Sequence, residues 1–307
     1  MKVLIGIDGS DNSIEAVRLT SRLISAEQDE IVLYYSPPQI NLRSGPKPDD
    51  ETIARMQKTL TDAVFDKARV QLSTGLNVKT TTVVGTRPPK QGLLVQADEC
   101  RADMIVVGAR GSGPFKRLPL GSVGRAVAHA ATIPVLIVRG VSNESDGLRV
   151  LLACDGSDAS KYTHRAMNQL TWPANTVGRV ITVIDSGLVG AMPEWLEEHL
   201  KQAEAESNPE ATNLLTHIDE QREHIHDEIA GFCGKLPEAF QNQALIVKQG
   251  HASQEILKSI DAEKVNLVVV GSRGLGPVKR LFVGSTSEHL LAHAPCSILI
   301  ARQHEPA

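Results

Sequence analysis

Aromatic side chains are scarce in this chain: five Phe, three Tyr and two Trp in 307 residues. Its cores are therefore aliphatic, and a stacking platform for single-stranded nucleic acid is excluded. A basic excess is lacking too. Thirty-two Lys and Arg face 36 Asp and Glu, a formal charge of −4 that leaves no electrostatic footprint for DNA. Wholly apolar runs stop at about five residues, well short of a membrane span, and Met1–Ile5 has neither the length nor the cleavage site of a signal peptide. The four cysteines, Cys100, Cys154, Cys233 and Cys296, are scattered with no C-x-x-C. That spacing argues for reduced thiols in a cytoplasmic protein and against a disulfide scaffold or zinc knuckle. Several catalytic signatures are missing: G-x-x-x-x-G-K-[S/T], G-x-G-x-x-G after the first strand, and G-x-S-x-G. His217, Glu220, Glu223, His224 and Asp227 share one helical face, but no second ligand set accompanies them, and a solvated face explains them better than a metal.

What is present is a repeat. Lys2-Val-Leu-Ile-Gly-Ile-Asp8-Gly-Ser-Asp returns as Arg149-Val-Leu-Leu-Ala-Cys-Asp155-Gly-Ser-Asp. Ile105-Val-Val-Gly108-Ala-Arg-Gly111 returns as Val268-Val-Val-Gly271-Ser-Arg-Gly274. A period near 150 residues is too long for a solenoid, so a whole domain is duplicated. Twice an ordinary domain length, with 41% hydrophobic and 22% charged residues, supports two globular cores. The polar stretch from Gly140 to Gly147 reads as the linker, which gives domains at 1–140 and 147–307. Each copy alternates strand runs with helical stripes; in the first the strands are Val3–Ile7, Glu30–Tyr35, Val78–Val84 (more polar and alternating, as suits an edge), Asp103–Val107 and Ile133–Val138, with four helices between them. That pattern predicts an α/β fold of two tandem doubly wound domains, each a five-stranded parallel sheet with helices on both faces. The second copy is longer, and Pro193–Ser207 reads as an inserted helix with a Trp195, Leu196, His199, Leu200, Ala203 stripe. A cover on the domain surface explains it more simply than a lid or a partner-binding helix.

Both copies place three glycines identically between the fourth strand and the next helix: Gly108-x-x-Gly111, nine residues, Gly121-Ser122, and Gly271-x-x-Gly274, nine residues, Gly284-Ser285. A backbone approaches a phosphate closely only where no Cβ intervenes, and glycine also reaches positive φ without strain. Gly121-Ser122 and Gly284-Ser285 open a helix, whose free N–H groups and dipole favour an anion. Asp8 and Asp155 lie at the carboxyl ends of the first strands, where doubly wound sheets hold ligands, and suit ribose hydroxyls. Each feature also has a plainer reading. The glycines are ordinary turn residues, Asp8 and Asp155 helix caps, Arg110 and Arg273 solvated loop charges, and Tyr35 and Val183 plain sheet residues.

On these residues each half resembles a universal stress protein domain, and the G-x-x-G, nine residues, G-[S/T] spacing is that of the family's ATP-binding subgroup. The resemblance implies a strand order 3-2-1-4-5 and ATP, with Mg²⁺ as companion, as ligand. In the first half it implies Ile7, Asp8 and Tyr35 around the adenosine, and Val107, Gly108, Arg110, Gly111, Gly121, Ser122 and Val123 along ribose and phosphates. In the second half the matching positions are Cys154, Asp155, Val183, Val270, Gly271, Arg273, Gly274, Gly284, Ser285, Thr286 and Ser287. Ser287 has Gly124 as its counterpart, so tighter ATP binding is expected in the second half. The last strands should pair with each other as a pseudo-dimer within one chain, and the resemblance favours a homodimer of chains besides. The expected function is a non-enzymatic, nucleotide-dependent stress regulator in the cytoplasm. Slow ATP hydrolysis or autophosphorylation, or a nucleotide-free interaction scaffold, are the competing readings.

Overall fold

The structure, a computed structural model, describes residues 1–25, 27–38, 49–72, 78–111, 120–140, 147–156, 158–184, 194–205, 208–241, 245–272 and 283–303. In the first half the elements run β1 (Lys2–Gly6), α1 (Asp11–Leu23), β2 (Glu30–Tyr35), α2 (Asp50–Arg69), β3 (Lys79–Val84), α3 (Pro89–Cys100), β4 (Met104–Gly108), α4 (Ser122–Ala130) and β5 (Val135–Val138). The second half follows with β6 (Arg149–Ala153), α5 (Asp158–Gln169), β7 (Val177–Ile184), α6 (Glu194–Ala205), α7 (Pro209–Cys233), α8 (Glu238–Gln241), β8 (Ile246–Gln249), α9 (Ala252–Ala262), β9 (Leu267–Gly271), α10 (Ser285–His293) and β10 (Ser297–Ala301).

All ten strands form one sheet in the order β3-β2-β1-β4-β5-β10-β9-β6-β7-β8. Read inward from either end, each half is a parallel sheet in the order 3-2-1-4-5. The central strands are apolar throughout because helices cover both of their faces: Val3, Leu4, Ile5, Val268 and Val269 are fully buried. Alternate residues feed two cores. Val3, Ile5 and Ile31 join α1 and α2 on one face, with Met167 of α5 and Ile229 of α7. Leu4, Ile105 and Val107 join α3 and α4 on the other, with Ile256 of α9 and Leu290 of α10. The mixed Thr and Val character of β3 matches its place at the outer edge. α3 starts at Pro89, whose fixed φ is pre-organised for a first helical turn. Between β7 and β8 the chain forms α6, α7 and α8, where the first half has α2 among its described residues.

The halves meet at β5 and β10, the only antiparallel pair in the described sheet. Ile298 faces Ile137, Leu299 faces Leu136 and Ile300 faces Val135, all 0–1% exposed. Edge strands of this composition would invite aggregation if left open; here each closes the other. The seam is also fastened by polar contacts. The backbone N–H of Arg139 donates to Ser297 Oγ at 3.1 Å, and the N–H of Thr171 donates to Leu23 O at 2.9 Å. His129 Nε2 of α4 lies 2.9 Å from Glu288 Oε2 of α10.

Candidate functional site

The first half's candidate site forms where β1 and β4, neighbours in the sheet, release chains that diverge to opposite faces. Ile7 stays in ladder geometry, its N–H donating to Tyr34 O at 2.9 Å. The chain then turns sharply. Ser10 N–H donates to Asp8 Oδ1 at 3.0 Å, and Gly9 takes φ +76°, a left-handed conformation that favours glycine. Ser10 caps α1 through Ser13 N–H, and Ser13 Oγ accepts from Asp8 N–H at 3.3 Å. Ser10 Oγ donates to Arg110 O at 3.3 Å, which ties this turn to the loop after β4. Lys67 reaches down from α2 and donates to Gly9 O at 2.7 Å. Neither Ser10, Ser13 nor Lys67 stood out in the sequence: the serines look like plain cap residues, and Lys67 is one of several charges on α2's outer face.

The glycines are held by close contact. A Cβ on Gly108 would lie 2.7 Å from the carbonyl carbon of Asn12 and 2.8 Å from Ser13 N, so the first turn of α1 packs on the bare backbone. A Cβ on Gly111 would lie 2.4 Å from Asp8 Oδ2, which aims that carboxylate at the glycine loop. Gly121 N–H donates to Ala109 O at 2.7 Å, and in the second half Gly284 N–H donates to Ser272 O at 2.8 Å. Both glycines are helix N-caps, with φ −71° and ψ 162° in one and φ −65° and ψ 159° in the other. None of Gly108, Gly111, Gly121, Gly271 and Gly284 has positive φ. Of the two properties that suit glycine to such a loop, these five therefore do not use the left-handed one. Gly108 and Gly111 matter for the Cβ they lack, while among the glycines with positive φ two, Gly9 and Gly156 (φ +72°), stand beside the aspartates.

Because a glycine caps each helix, neither α4 nor α10 receives a side-chain cap. The first intrahelical bonds are Arg125 N–H to Gly121 O at 3.0 Å and Glu288 N–H to Gly284 O at 2.8 Å. The N–H groups of the preceding turn are the ones a helix leaves without an intrahelical partner, and they carry the positive end of its dipole. Ser122 and Ser285 are exposed at that rim, with Val123 and Thr286 half-buried behind them.

The remaining residues named from sequence sort into two groups. Ile7, Tyr35, Val107, Cys154 and Val270 are core side chains, 3–6% exposed. Tyr35 packs edge-on against Phe65 with ring centroids 6.3 Å apart, and burial, aided by the charge of Asp8, pushes its phenol pKa up. Val183 is half-buried, while Arg110 and Asp155 are exposed at the mouths of their halves. Ser287 is 3% exposed and donates its hydroxyl proton to Gly271 O at 2.8 Å; its counterpart Gly124 offers no such bond to Gly108 O. Arg273 and Gly274 lie outside the described residues. Among the described residues no group of three His, Cys, Asp or Glu side chains could hold a metal ion, and no helix is long and apolar enough to cross a membrane.

Comparison with known proteins gives the same outline. The profile of the universal stress protein family matches residues 1–139 and again 148–302. A universal stress protein of Mycolicibacterium smegmatis is 26% identical over 309 aligned residues, spanning 98% of this chain and 96% of that protein. One from Thermus aquaticus is 33% identical over 153 residues, half of this chain and 97% of that protein. The crystal structure of a universal stress protein from Archaeoglobus fulgidus superposes with a TM-score of 0.61 at 18% identity, covering 99% of this chain and 98% of that one, a likeness of fold. The chain thus belongs to the universal stress protein family, with two of its domains in tandem.

Proposed function

We propose that each half binds an adenine nucleotide, ATP with Mg²⁺, and that occupancy biases conformation or partner choice in a stress response without turnover of the nucleotide. The observation that carries this reading is the pair of helices capped by glycine alone, at the strand-order switch of each half. In the first half, Gly121 and the first turn of α4 would cradle the phosphates, with the Ser122 hydroxyl as a further donor. Asp8, aimed at Gly111, would accept from the ribose hydroxyls. The buried Ile7 and Tyr35 could meet an adenine only through backbone or ring edge, so adenine recognition is assigned to the mouth between β1 and β2. In the second half Gly284, Ser285, Thr286 and Asp155 take the corresponding places. Ser287 instead holds the Gly271 carbonyl in position, and any advantage in affinity comes through that support.

The chain purified without added nucleotide and then denatured should release adenine nucleotide into the supernatant. ATP at about 100 times its dissociation constant should stabilise the folded chain by about 2.7 kcal/mol for each site it fills, a readily measured thermal shift. No released nucleotide together with no shift would favour a nucleotide-free scaffold. Multiple turnovers that vanish on substitution of Gly121 and Gly284 would favour an enzyme.

A further inference from the structure

The seam holds a second symmetric feature that the glycine motif does not explain. Arg139 immediately follows β5, and Arg302 immediately follows β10. They lie 163 residues apart, the same offset that separates Gly108 from Gly271 and Gly121 from Gly284. Each guanidinium crosses into the other half. Arg139 Nη1 donates to Ala294 O and Nη2 to Leu291 O, at the carboxyl end of α10. Arg302 Nη2 donates to Ala128 O, in the last turn of α4. These carbonyls belong to a helix end that has no intrahelical donors left and carries the negative end of the dipole, where a cation is favoured. Arg302 is 8% exposed, so its hydrogen bond is made in a water-poor environment. Burial lowers the Arg139 guanidinium pKa, opposed by Cys296 and slightly reinforced by the charge of Arg110.

α4 and α10 are also the helices whose amino ends form the two candidate phosphate cradles. Each is nine residues long, too short to be stable on its own propensity, so what holds one end governs the other. The geometry points to Arg139 and Arg302 as positioning residues in trans: Arg139 sets the cradle of the second half, and Arg302 sets the cradle of the first. This inference rests on the nucleotide reading for its ligand and on the seam alone for its mechanics.

The test uses the full chain with Arg139→Gln, Arg139→Lys and Arg302→Gln. Amide hydrogen exchange reads the mechanics without any ligand. Arg139→Gln should speed exchange at Glu288 N–H by about fivefold and leave Arg125 N–H unchanged, and Arg302→Gln should do the reverse. Titration with ATP reads the cradles one at a time, with Gly121→Val closing the first and Gly284→Val closing the second. Arg139→Gln should weaken ATP about fivefold in the second half alone, the low end of intersite couplings, and Arg139→Lys should recover part of the loss because one cation remains at the helix end. Exchange that rises equally in both helices, or in neither, overturns the inference, as does an affinity loss confined to the half that carries the substitution. If the unaltered chain binds no ATP, the nucleotide reading falls, and the crossed exchange pattern still decides whether these arginines hold the opposite helix.

Discussion

Gly108 and Gly121 look equivalent in the motif, yet the structure gives them separable duties, and replacing each by alanine distinguishes them. At Gly108 the new methyl would sit 2.7 Å from Asn12 C and 2.8 Å from Ser13 N. Both are backbone atoms in the first turn of α1, which cannot step aside as a flexible side chain can. The cost is that of overpacking a core, about 1–3 kcal/mol, which corresponds to about 3–10 °C in melting temperature. At Gly121 the nearest atom is Ala109 O at 3.3 Å and the backbone already has dihedral angles open to any residue. There the mild crowding is set against about 0.4–1 kcal/mol gained by restricting the unfolded chain, so the fold should be little affected. The same methyl stands where a phosphate would approach the amides, and ATP affinity in the first half should fall at least about tenfold, or about 1.4 kcal/mol. Thermal denaturation and calorimetric titration of the two variants read both quantities. Gly108→Ala melting with the unaltered chain, or Gly121→Ala keeping full ATP affinity while losing stability, would contradict this division of duties.

Other consequences follow from the seam and the second half. Ile137→Pro removes a ladder donor at a strand paired on both sides; it should cost at least about 1–3 kcal/mol for the carbonyl left unpaired, with aggregation or separated halves visible by size-exclusion chromatography, and an unchanged, well-packed monomer counts against the paired seam. Ser287→Ala leaves Gly271 O without its hydroxyl donor, so the denaturation midpoint should drop by an amount equivalent to about 1 kcal/mol; no drop would mean that the bond does not support the loop. Burial raises the Cys296 thiol pKa from 9.0 to about 11. Below pH 9 both folded and unfolded chains keep this proton. Above it the unfolded chain releases the proton first, so stability falls between pH 9 and 11 by an amount on the order of 2–3 kcal/mol. Cys296→Ala should flatten that part of the pH–stability curve, and an identical curve would contradict the assignment.

Much of the fold was legible because its signals are local. Runs such as Val3–Ile5 and Leu267–Val270 read as strands covered on both faces, and the returning Asp-Gly-Ser and glycine spacings exposed the duplication. The pairing of the last strands was legible for a related reason, since Val135–Val138 and Ile298–Ile300 are too apolar to remain edges, whereas its antiparallel direction was not. The glycine dihedrals were not legible, since a spacing does not say whether a glycine is needed for its φ or for its missing Cβ; contacts with Asn12 and Ser13 decide that. Arg139 and Arg302 were hidden for another reason. Each acts on carbonyls more than 150 residues away in sequence, where no periodicity or motif reaches. Their common offset was the available clue, and it gains meaning only once β5 and β10 are seen side by side. Ser287 shows the same limit: its place in the motif suggested a ligand donor, and its burial against Gly271 reveals a support for the loop.

On the proposed function, the two halves would each cradle one nucleotide. Calorimetric titration of the full chain with Mg²⁺–ATP counts the occupied sites. Two molecules should bind per chain, one lost on Gly121→Val and the other on Gly284→Val. Absence of binding, or a stoichiometry indifferent to both substitutions, would contradict it.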